Sequence, residues 1–123
     1  PTRLGGKGGA IVNMRSIAAK LGGAGEQTDY AFTKGAIDTL TIGLAKEVAA
    51  EGIRVNAVRP GPIYTDIHAD MGVPDRVDRM KELVPMQRGG TAEEVADVVL
   101  RLVSERSSCV IGALVGIGGG RGL

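Results

Sequence analysis

The sequence is poor in aromatic residues, cysteine and histidine: among 123 residues there are two Tyr, one Phe, one Cys, one His and no Trp. Three aromatic side chains are too few to stack on bases, and charges of both signs are interspersed without a basic run, so no nucleic-acid partner is expected. The single cysteine, Cys109, cannot close an intramolecular disulfide. The fold must therefore stand unstapled, as a reducing compartment requires. His68 has no Cys, His or carboxylate constellation at ligand spacing, so it reads as a surface or lid residue and no metal is expected. No apolar run approaches the roughly 20 residues that span a bilayer, and the N-terminus lacks the apolar core of a signal peptide. A cytoplasmic protein without a membrane partner is the expectation.

What the chain does have is glycine, 20 residues of 123, or about twice the typical share of ~7%. The glycines cluster at 5–9, 22–25, 89–90 and 116–122, which marks turns between elements rather than a repeat. With 43% hydrophobic residues and a net charge of +1, the remainder has the profile of one ordinary domain with its own core.

Pro1 to Gly9 reads as a polar entry loop. Ala10–Met14 is a short apolar run of the kind that forms a strand buried on both faces of a parallel sheet, and Ser16 lies just beyond its carboxyl end. That edge of an open parallel sheet is where ligands bind. After a turn at Lys20–Gly25, the longest helical pattern runs from Glu26 to Ala50. Thr28 or Asp29 is placed to cap it, Gly52 to end it, and Ile37, Leu40, Leu44 and Val48 to form its buried stripe. Tyr30 and Lys34 lie four apart in it, one turn above each other on a single face.

Ile53–Val58 is a second strand, followed at once by the Arg59-Pro60-Gly61-Pro62 loop. Strand, helix and strand in this spacing predict a βαβ unit with a parallel sheet. Between Thr65 and Met86 the pattern is irregular, with helical turns at 66–71 and 75–83, and serves as a lid or as a plain surface connection. Thr91 and Glu94 form a capping box that starts a helix through Val103, with Val95, Val98, Val99 and Leu102 inward. Val110–Ile117 is a third strand, ended by Gly118–Gly120, and Cys109 just before it reads as structural.

A tyrosine is a poor acid or base at neutral pH, but a lysine ammonium within ~4–6 Å favours its phenolate. A Tyr and a Lys one helical turn apart can build that arrangement, and a serine at the neighbouring strand end can hydrogen-bond a substrate oxygen. Spacing alone leaves this weak, because Tyr-x-x-x-Lys arises by chance in many helices. Asn13 and Asn56 are read as partners for loop backbone groups near the site.

The ordered set is more specific. Val12-Asn-Met-Arg-Ser16, Tyr30-x-x-x-Lys34, Arg54-Val-Asn56, Pro60-Gly61 with Thr65, and Ile111-Gly112 followed by Gly118-Gly119 together resemble the short-chain dehydrogenase/reductase family across essentially the whole chain. The resemblance implies an α/β fold, the C-terminal half of a Rossmann-like doubly wound parallel sheet of about three strands. It also implies an oxidoreductase moving hydride between NAD or NADP and a carbonyl or secondary alcohol. By similarity Tyr30 is the general acid/base, Lys34 holds the nicotinamide ribose and favours the tyrosinate, and Ser16 steadies the reacting oxygen. Pro60, Gly61 and Ile63 resemble the loop whose backbone meets the nicotinamide carboxamide, and Thr65 resembles a hydroxyl that contacts the cofactor. Family members assemble as dimers or tetramers through the long helix and the last helix and strand, so a homo-oligomer is implied.

Two departures qualify the resemblance. Residues 1–123 read as a single unit without the glycine-rich phosphate turn of the family's N-terminal dinucleotide-binding half, and that absence would expose the edge of the first strand and weaken cofactor binding. Arg15 stands where the family carries a small residue, and a bulky cation there would crowd the site or point away into solvent. Both departures keep open an alternative reading, a non-catalytic remnant serving as a structural or oligomerisation module.

Overall fold

A computed structural model of the chain describes residues 5–17 and 28–123. The first four residues, the Lys20–Gly25 turn and the expected helix start at Glu26 lie outside the described residues. In chain order the elements are β1 (Gly9–Met14), α1 (Thr28–Val48), β2 (Ile53–Pro60), β3 (Ile63–Tyr64), α2 (Ile67–Asp70), α3 (Arg76–Met80), β4 (Gly90–Thr91), α4 (Ala92–Val103) and β5 (Leu114–Ile117), with single 3-10 turns after α1, α3 and α4.

The main sheet has the order β1-β2-β5, all parallel. β2 is its centre because it alone carries four consecutive residues, Val55 to Val58, with no exposed surface. Successive strand residues point to opposite faces, so an unbroken buried run means that both faces are covered. α1 covers one of them: Asn13 Nδ2 donates to Thr41 Oγ1 of that helix at 2.9 Å, and Asn13 is paired with Ala57. The end of α4 covers the other, where Arg54 donates to the carbonyls of Leu102 and Ser104 at 2.7 and 3.1 Å. Buried Asn56 sits in the same strand without cost, because its amide accepts from Ala113 N–H at 3.0 Å and donates to Val110 O at 2.9 Å. It thereby joins β2 to the turn before β5, as the sequence reading anticipated for a loop-satisfying asparagine. Asn13 instead grips a helix side chain.

Several expectations need correction. β1 is not buried on both faces: Ile11 and Met14 are exposed, and among the described residues β1 pairs only with β2. β5 begins at Leu114 rather than Val110, because Gly112 takes a left-handed conformation (φ 66°) and gives its N–H to Val55 O before the ladder resumes. Cys109 is exposed rather than packed. In α1 the buried residues are Ala31, Thr41 and Ala45, while Leu40 of the expected stripe faces outward with Phe32 and Ile42. Small side chains make the closest approach of the helix, and Ile37, Leu44 and Val48 of the expected stripe are half-buried. Gly52 does end this helical run in the left-handed conformation, with its N–H on Ala49 O.

Residues 62–91 carry a second, smaller sheet. β3 and β4 pair in parallel for two residues each, a ladder with no counterpart in the sequence pattern. Beneath it Val77 and Val84 are almost fully buried. The Val77 side chain lies so close to Gly89, and that of Val84 to Gly119, that a Cβ on either glycine would collide. The capping box at Thr91 is present as expected: Glu94 N–H donates to Thr91 Oγ1 at 3.2 Å and Thr91 N–H to Glu94 Oε2 at 2.9 Å.

Candidate active site at the carboxyl ends of the strands

Because β1, β2 and β5 run in parallel, their carboxyl ends gather Ser16, the Pro60–Pro62 turn and Gly118 at one edge. The ladder carries on past β1: Arg15 N–H donates to Val58 O and Ile17 N–H to Pro60 O, both at 3.0 Å. Ser16 is thus held between two backbone bonds to β2. Gly61 approaches Gly118 so closely that a Cβ would lie 2.8 Å from the Gly118 Cα, which is why a glycine is needed there.

Tyr30 and Lys34 occupy the first two turns of α1. The Lys34 ammonium lies 5.5 Å from the centroid of the Tyr30 ring, within cation–π range. It also donates to Met14 O at 3.4 Å, tying the helix to the strand end two residues before Ser16. The Tyr30 side chain is exposed and Lys34 half-buried, so the phenol is open to a ligand while the ammonium is partly fixed. The structure therefore brings the Tyr30/Lys34 pair to the strand end that carries Ser16.

The loop residues behave differently from one another. Pro60 and Pro62 have no N–H, and Gly61 gives its own to Ile117 O at 3.0 Å. The Pro60 and Pro62 carbonyls accept from Ile17 and Gly90. This turn therefore shapes the edge of the site and offers no N–H to a ligand from its first three residues. Ile63 lies in β3, and its carbonyl is taken by His68 Nε2 at 2.9 Å. Thr65 follows β3 and is exposed at the same edge. His68 is a clip for that loop, and among the described residues no group of three or more His, Cys, Asp or Glu side chains could hold a metal.

Arg15 neither crowds the opening nor points into solvent. Its side chain has no exposed surface and pairs with Asp38 of α1, which also accepts from Arg59 Nη2 at 3.3 Å. Burial pushes the Asp38 carboxyl above its ordinary pKa. The two adjacent guanidiniums act in the opposite sense and favour the carboxylate. Neither Asp38 nor this role for Arg59 figured in the sequence reading. The signal was present nonetheless: Asp38 lies one turn beyond Lys34, and Arg15 and Arg59 directly follow the paired residues Met14 and Val58.

With that geometry in place, comparison with known proteins is decisive. A family model described as enoyl-(acyl carrier protein) reductase, of the short-chain alcohol dehydrogenase type, matches residues 2–121. The chain belongs to the short-chain dehydrogenase/reductase family. It is 60% identical over 117 residues to the uncharacterised oxidoreductase YgfF of Escherichia coli K12, an alignment covering 95% of this chain and 47% of that protein. A 3-oxoacyl-[acyl-carrier protein] reductase from Brucella melitensis superposes with a TM-score of 0.84 at 41% identity, over 93% of this chain and 42% of that one. A second reductase structure from Brucella melitensis, with bound NAD, superposes at 0.79 and 39% identity over 93% and 41%. The Rossmann-like α/β fold expected from the sequence is thus shown, and the chain spans about half the length of the curated relatives it matches.

Proposed function

We propose that this chain carries the reacting groups of an NAD(P)-dependent oxidoreductase that interconverts a carbonyl and a secondary alcohol. The observation that carries the reading is the Lys34 ammonium beside the Tyr30 ring, bonded to the strand end that leads into Ser16. The donor set fits a nicotinamide cofactor: an exposed phenol, an ammonium that can reach ribose hydroxyls, and a serine hydroxyl, all at one sheet edge. A bound nicotinamide supplies or accepts the hydride. In the reducing direction the Ser16 hydroxyl donates a hydrogen bond to the substrate carbonyl oxygen and orients it. The Tyr30 hydroxyl gives its proton to that oxygen as it gains charge, and in the oxidising direction it takes the proton back. Lys34 holds the ribose and stabilises the tyrosinate left behind. Gly61 and the prolines beside it shape the edge against which the nicotinamide would rest, with Ile63 and Thr65 following. NAD bound to one of the Brucella structures supports this cofactor class.

The outward face of α1, with Phe32 and Leu40 exposed, supports assembly of a homo-oligomer through that helix. The same face is the observation that favours the second reading, a non-catalytic oligomerisation module. Fluorescence titration of the purified chain with NADH and NADPH separates the two. Saturable binding of either is expected, and no binding at millimolar concentration would remove the redox reading for this chain.

A further inference from the structure

Three segments of the site converge on one side chain that acts on no substrate. The register that pairs Met14 with Val58 continues to Arg15 N–H on Val58 O, which sets Arg15 beside Arg59 on neighbouring strands. Like charges side by side across a sheet repel, and more so when buried. The Arg15 side chain has no exposed surface, and its Nε and Nη1 find no hydrogen-bond partner among the described residues. What compensates both cations is Asp38 Oδ2, which pairs with each. Asp38 is four residues beyond Lys34 and eight beyond Tyr30 in α1, so the three share one side of the helix.

We propose that Asp38 is a positioning residue whose carboxylate clasps Arg15 and Arg59 together, fixing the strand end that carries Ser16 and the Pro60–Gly61 turn against the helix that carries Tyr30 and Lys34. The catalytic consequence rests on the redox reading above, whereas the clasp itself does not. The physical basis is the cost of a buried charge that has lost its partner. Without Asp38, two guanidiniums remain on adjacent strands with nothing between them, and the least costly relief is for the strand ends to part. A cation is tolerated directly before the serine because the helix answers it with a carboxylate.

Amide hydrogen exchange on the 123-residue chain tests the clasp without any cofactor. Asp38→Asn is expected to speed exchange at least tenfold at Arg15, Ile17 and Gly61, whose N–H groups bond to Val58, Pro60 and Ile117. Ala57 N–H, bonded to Ala113 O in the centre of the sheet, should stay within twofold of the parent. Asp38→Glu keeps the charge and should restore most of the protection. Unchanged exchange at the three edge amides overturns the proposal, and so does a uniform rise that includes Ala57, since that would be general destabilisation. If Asp38→Asn does not fold, Arg15→Ser carries the same test at Ile17, where unchanged protection again overturns it. Where the parent turns over, Asp38→Asn should lower kcat at least tenfold, and Asp38→Glu should restore most of it. A parent that binds no nicotinamide removes the redox reading and leaves the exchange result to decide the clasp.

Discussion

The central strand β2 and the 62–91 segment are both held by polar contacts, yet they are held in opposite ways. In β2 the polar groups are buried with their partners: Asn56 has no exposed surface and both ends of its amide are bonded to backbone. In the 62–91 segment the ion pair and the tyrosine–carboxylate contact sit in water. Tyr64 donates to Asp78 at 2.8 Å on the exposed side of β3, and Arg88 grips Glu94 with two bonds of 2.7 and 3.0 Å at the start of α4. A buried polar group that loses its partner costs its full desolvation, whereas an exposed one is re-solvated. The difference teaches which polar contacts are costly to lose and which are replaced by water.

The comparison would break first at Asn56. Asn56→Ala leaves the Val110 carbonyl and the Ala113 N–H, in half-buried residues, without their partner, each costing about 1–3 kcal/mol, so a loss of about 3 kcal/mol is expected. Chemical denaturation measures this as a lower midpoint at unchanged slope. A loss no larger than that of an exposed substitution would show that water enters the turn before β5 and that β2 is less sealed than described. Tyr64→Phe is the matched probe on the other side. The carboxylate of Asp78 raises the Tyr64 phenol pKa by accepting its hydrogen bond, but both groups reach water. Its midpoint shift should be several-fold smaller than that of Asn56→Ala, and equal shifts would erase the contrast.

A third probe uses pH. The Arg88 guanidinium, followed by the Thr91 N–H, lowers the Glu94 pKa from 4.5 to about 2. A carboxyl whose pKa is depressed by folding contributes stability that is complete above its unfolded value and is lost as pH falls through the folded one. The stability difference between the parent and Glu94→Gln should therefore be constant above pH 4.5 and shrink as pH approaches about 2. A difference that grows on acidification would mean that the Arg88 contact does not govern this carboxyl. Being solvent-exposed, the pair should give the smallest effect of the three.

The same contrast explains how much could be read from the sequence. β2, the long helix and the capping box were legible because each is written locally, in an apolar run, a periodicity and a Thr-x-x-Glu spacing. The Tyr30/Lys34 pair, Ser16 and the Pro60–Gly61 turn were legible through the ordered set of motifs that resembles the family, since a four-residue step alone arises by chance in many helices. The buried face of α1 was misjudged at Leu40, which faces outward while Ile37, Leu44 and Val48 are half-buried, and the closest approach falls to Ala31, Thr41 and Ala45. The β3–β4 pairing and the Asp38 clasp were missed because they join segments far apart in sequence through two-residue contacts and single charges, which leave no periodic trace. The effect of Arg15 could not be decided without its partner Asp38 on the facing helix.

In the proposed reaction Tyr30 acts on the proton while other groups hold the cofactor. The direct measurement is turnover of a carbonyl substrate with NADPH or NADH beside cofactor affinity, in the parent and in Tyr30→Phe. Loss of an acid/base group slows the chemical step by about 10²–10⁴-fold. Tyr30→Phe should therefore lose turnover by at least a hundredfold with cofactor affinity within twofold of the parent. Turnover that survives the substitution, or turnover and affinity that fall together, would contradict the role assigned to Tyr30.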